Sequence, residues 1–177
     1  MLKTLKWALI VLIGLVALLF IGGYALSPKF SAVRSTSIAA PADKVYALVA
    51  DPREWKRWTV WNQRDPAMQI TYSGPPSGAG AGWAWKSQSE GDGKMTFTAA
   101  EPNRRVAYEL FFPDFGTTST GALELAADGT GTQVSWSMNG DMGSNPLFRW
   151  LALFGDRMVG PDFEAGLANL KALAEKP

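Results

Sequence analysis

From Trp7 to Leu26 the chain carries no charged residue, and that run constrains everything that follows it. At about 1.5 Å per residue it makes a helix about 30 Å long, the thickness of a bilayer's hydrocarbon core. Lys3 and Lys6 stand just before it. Trp7 and Tyr24 sit near its ends, where amphipathic rings prefer the membrane–water interface. Gly22-Gly23 and Ser27-Pro28 close the helix. A cleaved signal peptide shares the charged start, but this apolar stretch is longer than a signal core and no small-x-small cleavage site follows it. The sequence thus favours a membrane anchor over residues 1–26, a short linker over 27–32 and one domain over 33–177. The N-terminal amine, Lys3 and Lys6 face Lys29 and Arg34 across the run, a balance that tips toward a cytoplasmic N-terminus. In a bacterial cell the single-pass protein would then carry its domain on the periplasmic side of the cell membrane.

Beyond the anchor about 150 residues remain, the usual size of one domain and enough for a core without staples. The 177-residue chain has no cysteine and no histidine. The first zero excludes disulfides, thiolate catalysis and cysteine metal sites. The second removes the commonest general base, the commonest transition-metal ligand and every Ser-His-Asp or Cys-His arrangement. Only a carboxylate-built site for a hard cation stays open, and no cofactor or metal is expected. A net charge of +1 gives no field that would draw nucleic acid, so none is expected as a partner.

Period-two patterning dominates the middle of the chain. A first strand is expected over Val33 to Ile38. Pro41, whose missing N–H costs nothing at a helix start, then opens a helix with Val45, Leu48 and Val49 on its apolar stripe, ended by Asp51-Pro52. Short alternating runs follow: Met68, Ile70 and Tyr72; Trp83 and Trp85; Met95 and Phe97; Val106, Tyr108, Leu110 and Phe112; Leu123 and Leu125; Val134, Trp136 and Met138. Such alternation predicts an antiparallel sheet with one covered and one wet face. Turn signals at Gly91-Asp92-Gly93, Pro102-Asn103 and Asp128-Gly129 separate the runs. The C-terminus changes period: Val159, Phe163, Leu167, Leu170 and Ala174 recur at helical spacing, an amphipathic helix with its stripe toward the sheet. Strands bounded by helices predict an α+β fold.

The stretch Ala40-Pro41-Ala42-Asp43-Lys44-Val45-Tyr46, then Asp51-Pro52 and Trp55-x-x-Trp58, resembles the opening of START-like (SRPBCC) domains. The likeness continues through Trp85, through Gly131-Thr132-Gln133-Val134-Ser135-Trp136, and through the closing Gly160-x-Asp162-Phe163-Glu164-x-Gly166-Leu167-x-Asn169-Leu170-Lys171. The nearest group is the membrane-anchored bacterial members labelled polyketide cyclase or dehydrase. The resemblance implies a helix-grip fold, a curved antiparallel sheet of about seven strands wrapped round the long C-terminal helix. It also implies a hydrophobic cavity between them that takes a small molecule or lipid. Fold likeness alone does not set chemistry.

The candidate ligand-binding residues are Trp58, Trp61, Trp85, Phe97, Tyr108, Trp136, Met138, Phe163 and Leu167. Trp55, Trp58 and Trp61 at spacing three put their rings on one side of a helical turn, as a cavity wall or as a cluster sealing the end of the sheet. Trp85, Phe97, Tyr108, Trp136 and Met138 belong to the expected inner face, opposite Phe163 and Leu167, and serve either as plain core or as cavity lining. Gly78-x-Gly80-x-Gly82 lacks the preceding strand and following helix that a nucleotide loop needs. Asp141, Asp156, Asp162 and Glu164 are the carboxylates from which a cyclase would draw a base. The segment Leu147 to Phe154 reads as a lid or membrane-touching element, or as a helix buried against the sheet edge.

Three functions fit: a membrane-anchored binding domain for a hydrophobic small molecule or lipid, a cyclase or dehydratase working with Asp, Glu or Tyr, and a ligand-free structural or sensing module at the membrane surface. Six linker residues, Ser27 to Ala32, span at most about 20 Å. The domain therefore works close to the bilayer, which favours a membrane-partitioning ligand.

Overall fold

A computed structural model describes Leu2 to Pro177, with side chains from Lys3 onward. Helix α1 (Leu2–Ala25) is long and apolar enough to cross a membrane, with a mean hydropathy of 2.6 over its most apolar window and side chains almost entirely exposed. With its side chains so exposed, the helix is not part of the domain's own core.

Strand β1 (Lys29–Ile38) follows α1 directly, beginning four residues ahead of the start expected from the sequence. Its partner explains the difference. The strand runs antiparallel to β7 (Gly131–Asp141) over its whole length, from Lys29 opposite Asp141 to Ile38 opposite Thr132. Main-chain pairing extends the strand beyond what side-chain alternation marks.

Three helical pieces then cross from β1 to the far edge of the sheet: α2 (Ala42–Ala50), α3 (Pro52–Trp58) and α4 (Trp61–Arg64). Pro41 is the N-cap residue of α2 rather than its first helical residue. Asp51-Pro52 ends α2 and also starts α3: the Asp51 carboxylate accepts from the Arg53 N–H at 2.8 Å and Pro52 takes the first turn. After α4 come β2 (Gln69–Ser73), β3 (Gly82–Lys86), β4 (Gly93–Glu101), β5 (Arg105–Phe112) and β6 (Thr117–Asp128). With β7 they make a seven-stranded antiparallel sheet in the order β1-β7-β6-β5-β4-β3-β2. A bulge between Phe97 and Ala99 interrupts the β4–β5 register and bends the sheet there.

Helices α5 (Pro146–Ala152) and α6 (Gly155–Ala174) complete the chain. Helix α6 lies against β1 and β7, and buries Phe163, Leu167, Leu170 and Ala174 on the sheet. The Phe163 ring stacks on Trp136, with centroids 3.9 Å apart and planes 8° from parallel. Gly166 permits that approach: a Cβ there would lie 2.9 Å from the Trp136 ring. The α+β helix-grip architecture expected from the sequence is the one observed. Because α6 covers the β1–β7 half of the sheet, the β2–β5 half is left for smaller elements to close.

Candidate functional site

Those smaller elements are α3 and α4, and beneath them lies a cavity of about 140 Å³. Its apolar wall comes from Ile70 and Tyr72 on β2, Trp83 and Trp85 on β3, Met95 on β4, and Leu110 and Phe112 on β5, with Trp55, Trp61, Met138 and Val159 closing the sides. A polar edge is formed by Thr59, Asn62, Glu90 and Asp162, and the cavity reaches the surface at the exposed Lys56. A small apolar space with a few polar groups on one side is the general form of a small-molecule site.

The nine candidates divide into two groups. Trp61, Trp85 and Met138 line the cavity. Trp58, Phe97, Tyr108, Trp136, Phe163 and Leu167 lie in the packed core beside it, each at most 2 % exposed. The core group is held by Trp55, whose ring meets Trp58, Trp83, Phe97, Tyr108 and Trp136 at centroid distances of 4.7 to 5.9 Å. The polar handles of Trp55, Trp58, Tyr108 and Trp136 are satisfied internally. Trp55 Nε1 donates to the Val49 carbonyl at 2.9 Å, and Trp58 Nε1 to the Leu48 carbonyl at 3.2 Å. Trp136 Nε1 donates to the Tyr108 hydroxyl at 2.9 Å, which donates to the Ser137 carbonyl at 3.0 Å. Rings whose N–H and O–H groups are already paired have none left to orient a ligand. Burial also pushes the Tyr108 hydroxyl well above the ordinary tyrosine range, so it stays protonated.

Glycines placed opposite aromatics decide where two rings lie. Tyr108 pairs across the strands with Gly121, and Trp85 with Gly93. In each case a Cβ on the glycine would overlap the ring. Tyr108 is thereby pressed flat into the core, and Trp85 over the cavity's end.

The polar edge is dominated by one cation absent from the candidates. Arg64 on α4 binds Asp162 through two bonds of 2.6 and 2.8 Å, and Glu90 through two of 2.9 and 2.7 Å. Asp162 also accepts from Trp61 Nε1 at 2.9 Å. The two carboxylates hold the Arg64 guanidinium even further above neutrality than usual. This clasp ties α4 to α6 and to the β3–β4 connection. Of the other carboxylates, Asp156 and Glu164 bind Arg34 of β1, whose side chain lies against Gly160 of α6, at 2.8 and 2.5 Å, and Asp141 accepts from the Gly143 N–H at 2.8 Å. Among the described residues no three carboxylates converge where a cation would sit.

The wall also includes Tyr72, Leu110 and Phe112, residues of the alternating runs for which sequence patterning separates inward from outward but not core from cavity. Arg64 had one available signal: it lies three residues after Trp61, hence on the same side of a helical turn.

A family profile described as "Polyketide cyclase / dehydrase and lipid transport" matches residues 29–175. The chain belongs to this family. Its fold is shared with protein CV1439 from Chromobacterium violaceum, at TM-score 0.61 and 15% identity, covering 84% of this chain and 99% of that one. Ara h 8.0201 matches at TM-score 0.59 and 11% identity, over 82% of this chain and 97% of that one. The di-domain ARO/CYC BexL from the BE-7585A biosynthetic pathway matches at TM-score 0.59 and 19% identity, over 84% of this chain and 51% of that one, so this chain spans about half of BexL. No curated protein sequence matches it. At these identities the structural likeness speaks for the fold.

Proposed function

We propose that the protein is a membrane-anchored domain, with α1 as the anchor over residues 1–26, that binds a hydrophobic small molecule or part of a lipid in the cavity beneath α3 and α4. The observation that carries this reading is the cavity itself, about 140 Å³ walled by aromatic and aliphatic side chains. That size is below the roughly 300 Å³ where sites for drug-sized ligands begin. It matches the roughly 150 Å³ of an engineered apolar cavity that takes benzene. A single ring or a segment of acyl chain fits this space. The family description, which joins cyclases with lipid transport, supports the same ligand class.

The enzyme reading has less to draw on. Asp162 and Glu90 are the carboxylates at the cavity, and each oxygen of both already accepts a bond from Arg64. The N-terminal placement of α1 and the lysines Lys3 and Lys6 near its start support an extracytoplasmic domain.

Native mass spectrometry of the full chain ejected from lipid nanodiscs tests the binding reading. An apolar mass that co-purifies with the protein, and is lost in Leu110→Trp while near-UV circular dichroism is retained, is the expected result. A protein that carries no added mass and takes up no single-ring apolar probe would refute it.

A further inference from the structure

Helix α5 is seated on the end of α1, and its outer side is apolar. Gly22 and Gly23 form the seat: a Cβ at Gly22 would lie 2.9 Å from the Trp150 ring, and one at Gly23 would overlap the Pro146 carbonyl. Trp150 Nε1 donates to the Leu19 carbonyl at 3.0 Å, six residues before the helix ends, which is about 9 Å along the axis. Arg149 Nη1 donates to the carbonyls of Tyr24 and Leu26 at 3.2 and 3.4 Å, and its guanidinium stands 5.7 Å from the Tyr24 ring. Tryptophan, tyrosine and arginine gathered at one end of an apolar helix are the side chains that settle at a membrane–water boundary.

Away from α1, the surface carries Leu147, Leu151, Leu153 and Phe154, exposed by 36 to 55 %. Phe115, in the turn between β5 and β6, adds its ring 5.8 Å from Phe148 and is itself 46 % exposed. Large apolar side chains clustered this way are costly in water. Their cover is indicated by what they adjoin. The patch continues the apolar surface of α1 without a charged residue between Leu147 and Phe154 other than Arg149, and Arg149 is turned back onto α1.

We propose that the face made by α5 and the β5–β6 turn is a second membrane contact, lying in the lipid headgroup–acyl boundary beside the anchor. This rests on α1 being the anchor. The contact fixes which side of the domain meets the bilayer. It also gives a direction to the cavity, because Phe148 and Phe115 are followed by Phe112 and Trp85 at centroid distances of 6.4 and 6.1 Å, and the last two belong to the cavity wall.

The chain has no cysteine, so any introduced one is unique. The full chain carrying Leu151→Cys, Phe154→Cys or Phe115→Cys is labelled with an environment-sensitive fluorophore. Each is reconstituted in vesicles of equal parts phosphatidylethanolamine and phosphatidylglycerol containing nitroxide-labelled lipid. Ile13→Cys reports the anchor, and Thr71→Cys on the exposed side of β2 reports the aqueous level. Quenching at all three test positions at least about twofold above Thr71→Cys is expected for a face resting in the interface. If Ile13→Cys is quenched and any test position behaves like Thr71→Cys, the second contact is overturned while the anchor stands. A blue-shifted but unquenched fluorophore at the test positions overturns it in favour of a protein partner or a second copy of the chain. If Ile13→Cys is itself unquenched, the anchor reading fails, and this proposal with it.

Discussion

Replacing Tyr108 by phenylalanine removes one oxygen from the densest part of the molecule, and the structure sets competing effects against each other. Phenylalanine is the more hydrophobic ring, so if the hydroxyl did nothing the change would be neutral or slightly stabilising. But the hydroxyl accepts from Trp136 Nε1 and donates to the Ser137 carbonyl, and both Tyr108 and Trp136 are 1 % exposed. Water cannot replace the lost partner. A buried donor left unpaired costs about 1–3 kcal/mol, so Tyr108→Phe is expected to lose about 2 kcal/mol. For a domain of this size each kcal/mol moves Tm by about 2–4 °C, which makes the expected drop about 4–8 °C. The assay is urea unfolding of the full chain in nanodiscs, followed by near-UV circular dichroism, with the midpoint shifting and the slope unchanged. Ligand occupancy should stay the same, because neither Tyr108 nor Trp136 lines the cavity. A loss under about 0.5 kcal/mol would mean that the Trp136–Tyr108–Ser137 chain is not a satisfied core network. Lost occupancy with stability intact would mean that the hydroxyl faces ligand after all.

Gly121→Ala should be more damaging, by about 3 kcal/mol or more in the same assay, since its Cβ would overlap both the Tyr108 hydroxyl and the Ser137 carbonyl. Trp85→Ala should weaken binding of a single-ring apolar probe about tenfold, read by titration, because a large part of the cavity's end wall is removed. Arg64→Ala leaves Glu90 and Asp162 side by side without their cation; probe dissociation should quicken several-fold, and Arg64→Lys, which cannot reproduce four bonds, should restore only part of it. Arg34 holds the Asp156 carboxyl below its ordinary 3.8, so its contribution is present above that pH and lost as the pH falls through the lower folded value. Asp156→Asn should therefore lower the urea midpoint slightly at neutral pH, leave it nearly unchanged at pH below the folded value, and so flatten the acid limb between them.

Much of this fold is legible in the sequence because alternation and helical periodicity report burial directly. Each of the six alternating runs falls on one of β2 to β7, although Met68 stands one residue ahead of β2 and β6 begins at Thr117, six residues before Leu123, and the stripe from Val159 to Ala174 lies within α6. The start of β1 was not legible, because it depends on hydrogen bonds to a strand about a hundred residues away. Nor was the division of the aromatic residues between core and cavity. Trp136 and Met138 have the same alternation on the same strand, yet Phe163 stacks on the first while the second reaches the open space beyond α6. That difference comes from where one helix stops covering the sheet, which no local pattern encodes. Arg64 is a similar case: its partners, Glu90 and Asp162, are distant in the sequence, and only the closed fold brings both within reach of one guanidinium.

Between Ala25 and Lys29 the chain has room for only three residues, Leu26 to Pro28, and that joint is stitched on both sides. Arg149 holds the Leu26 carbonyl, and the Met142 N–H donates to the Pro28 carbonyl at 2.9 Å. Three residues could extend at most about 10 Å. A domain on a long flexible tether sweeps a hemisphere and meets the membrane at a low effective concentration. Here the joint is closer to a bracket than a tether. With α1 in a bilayer, the cavity would ride at one height and one orientation, and its search for a ligand would become lateral diffusion in two dimensions.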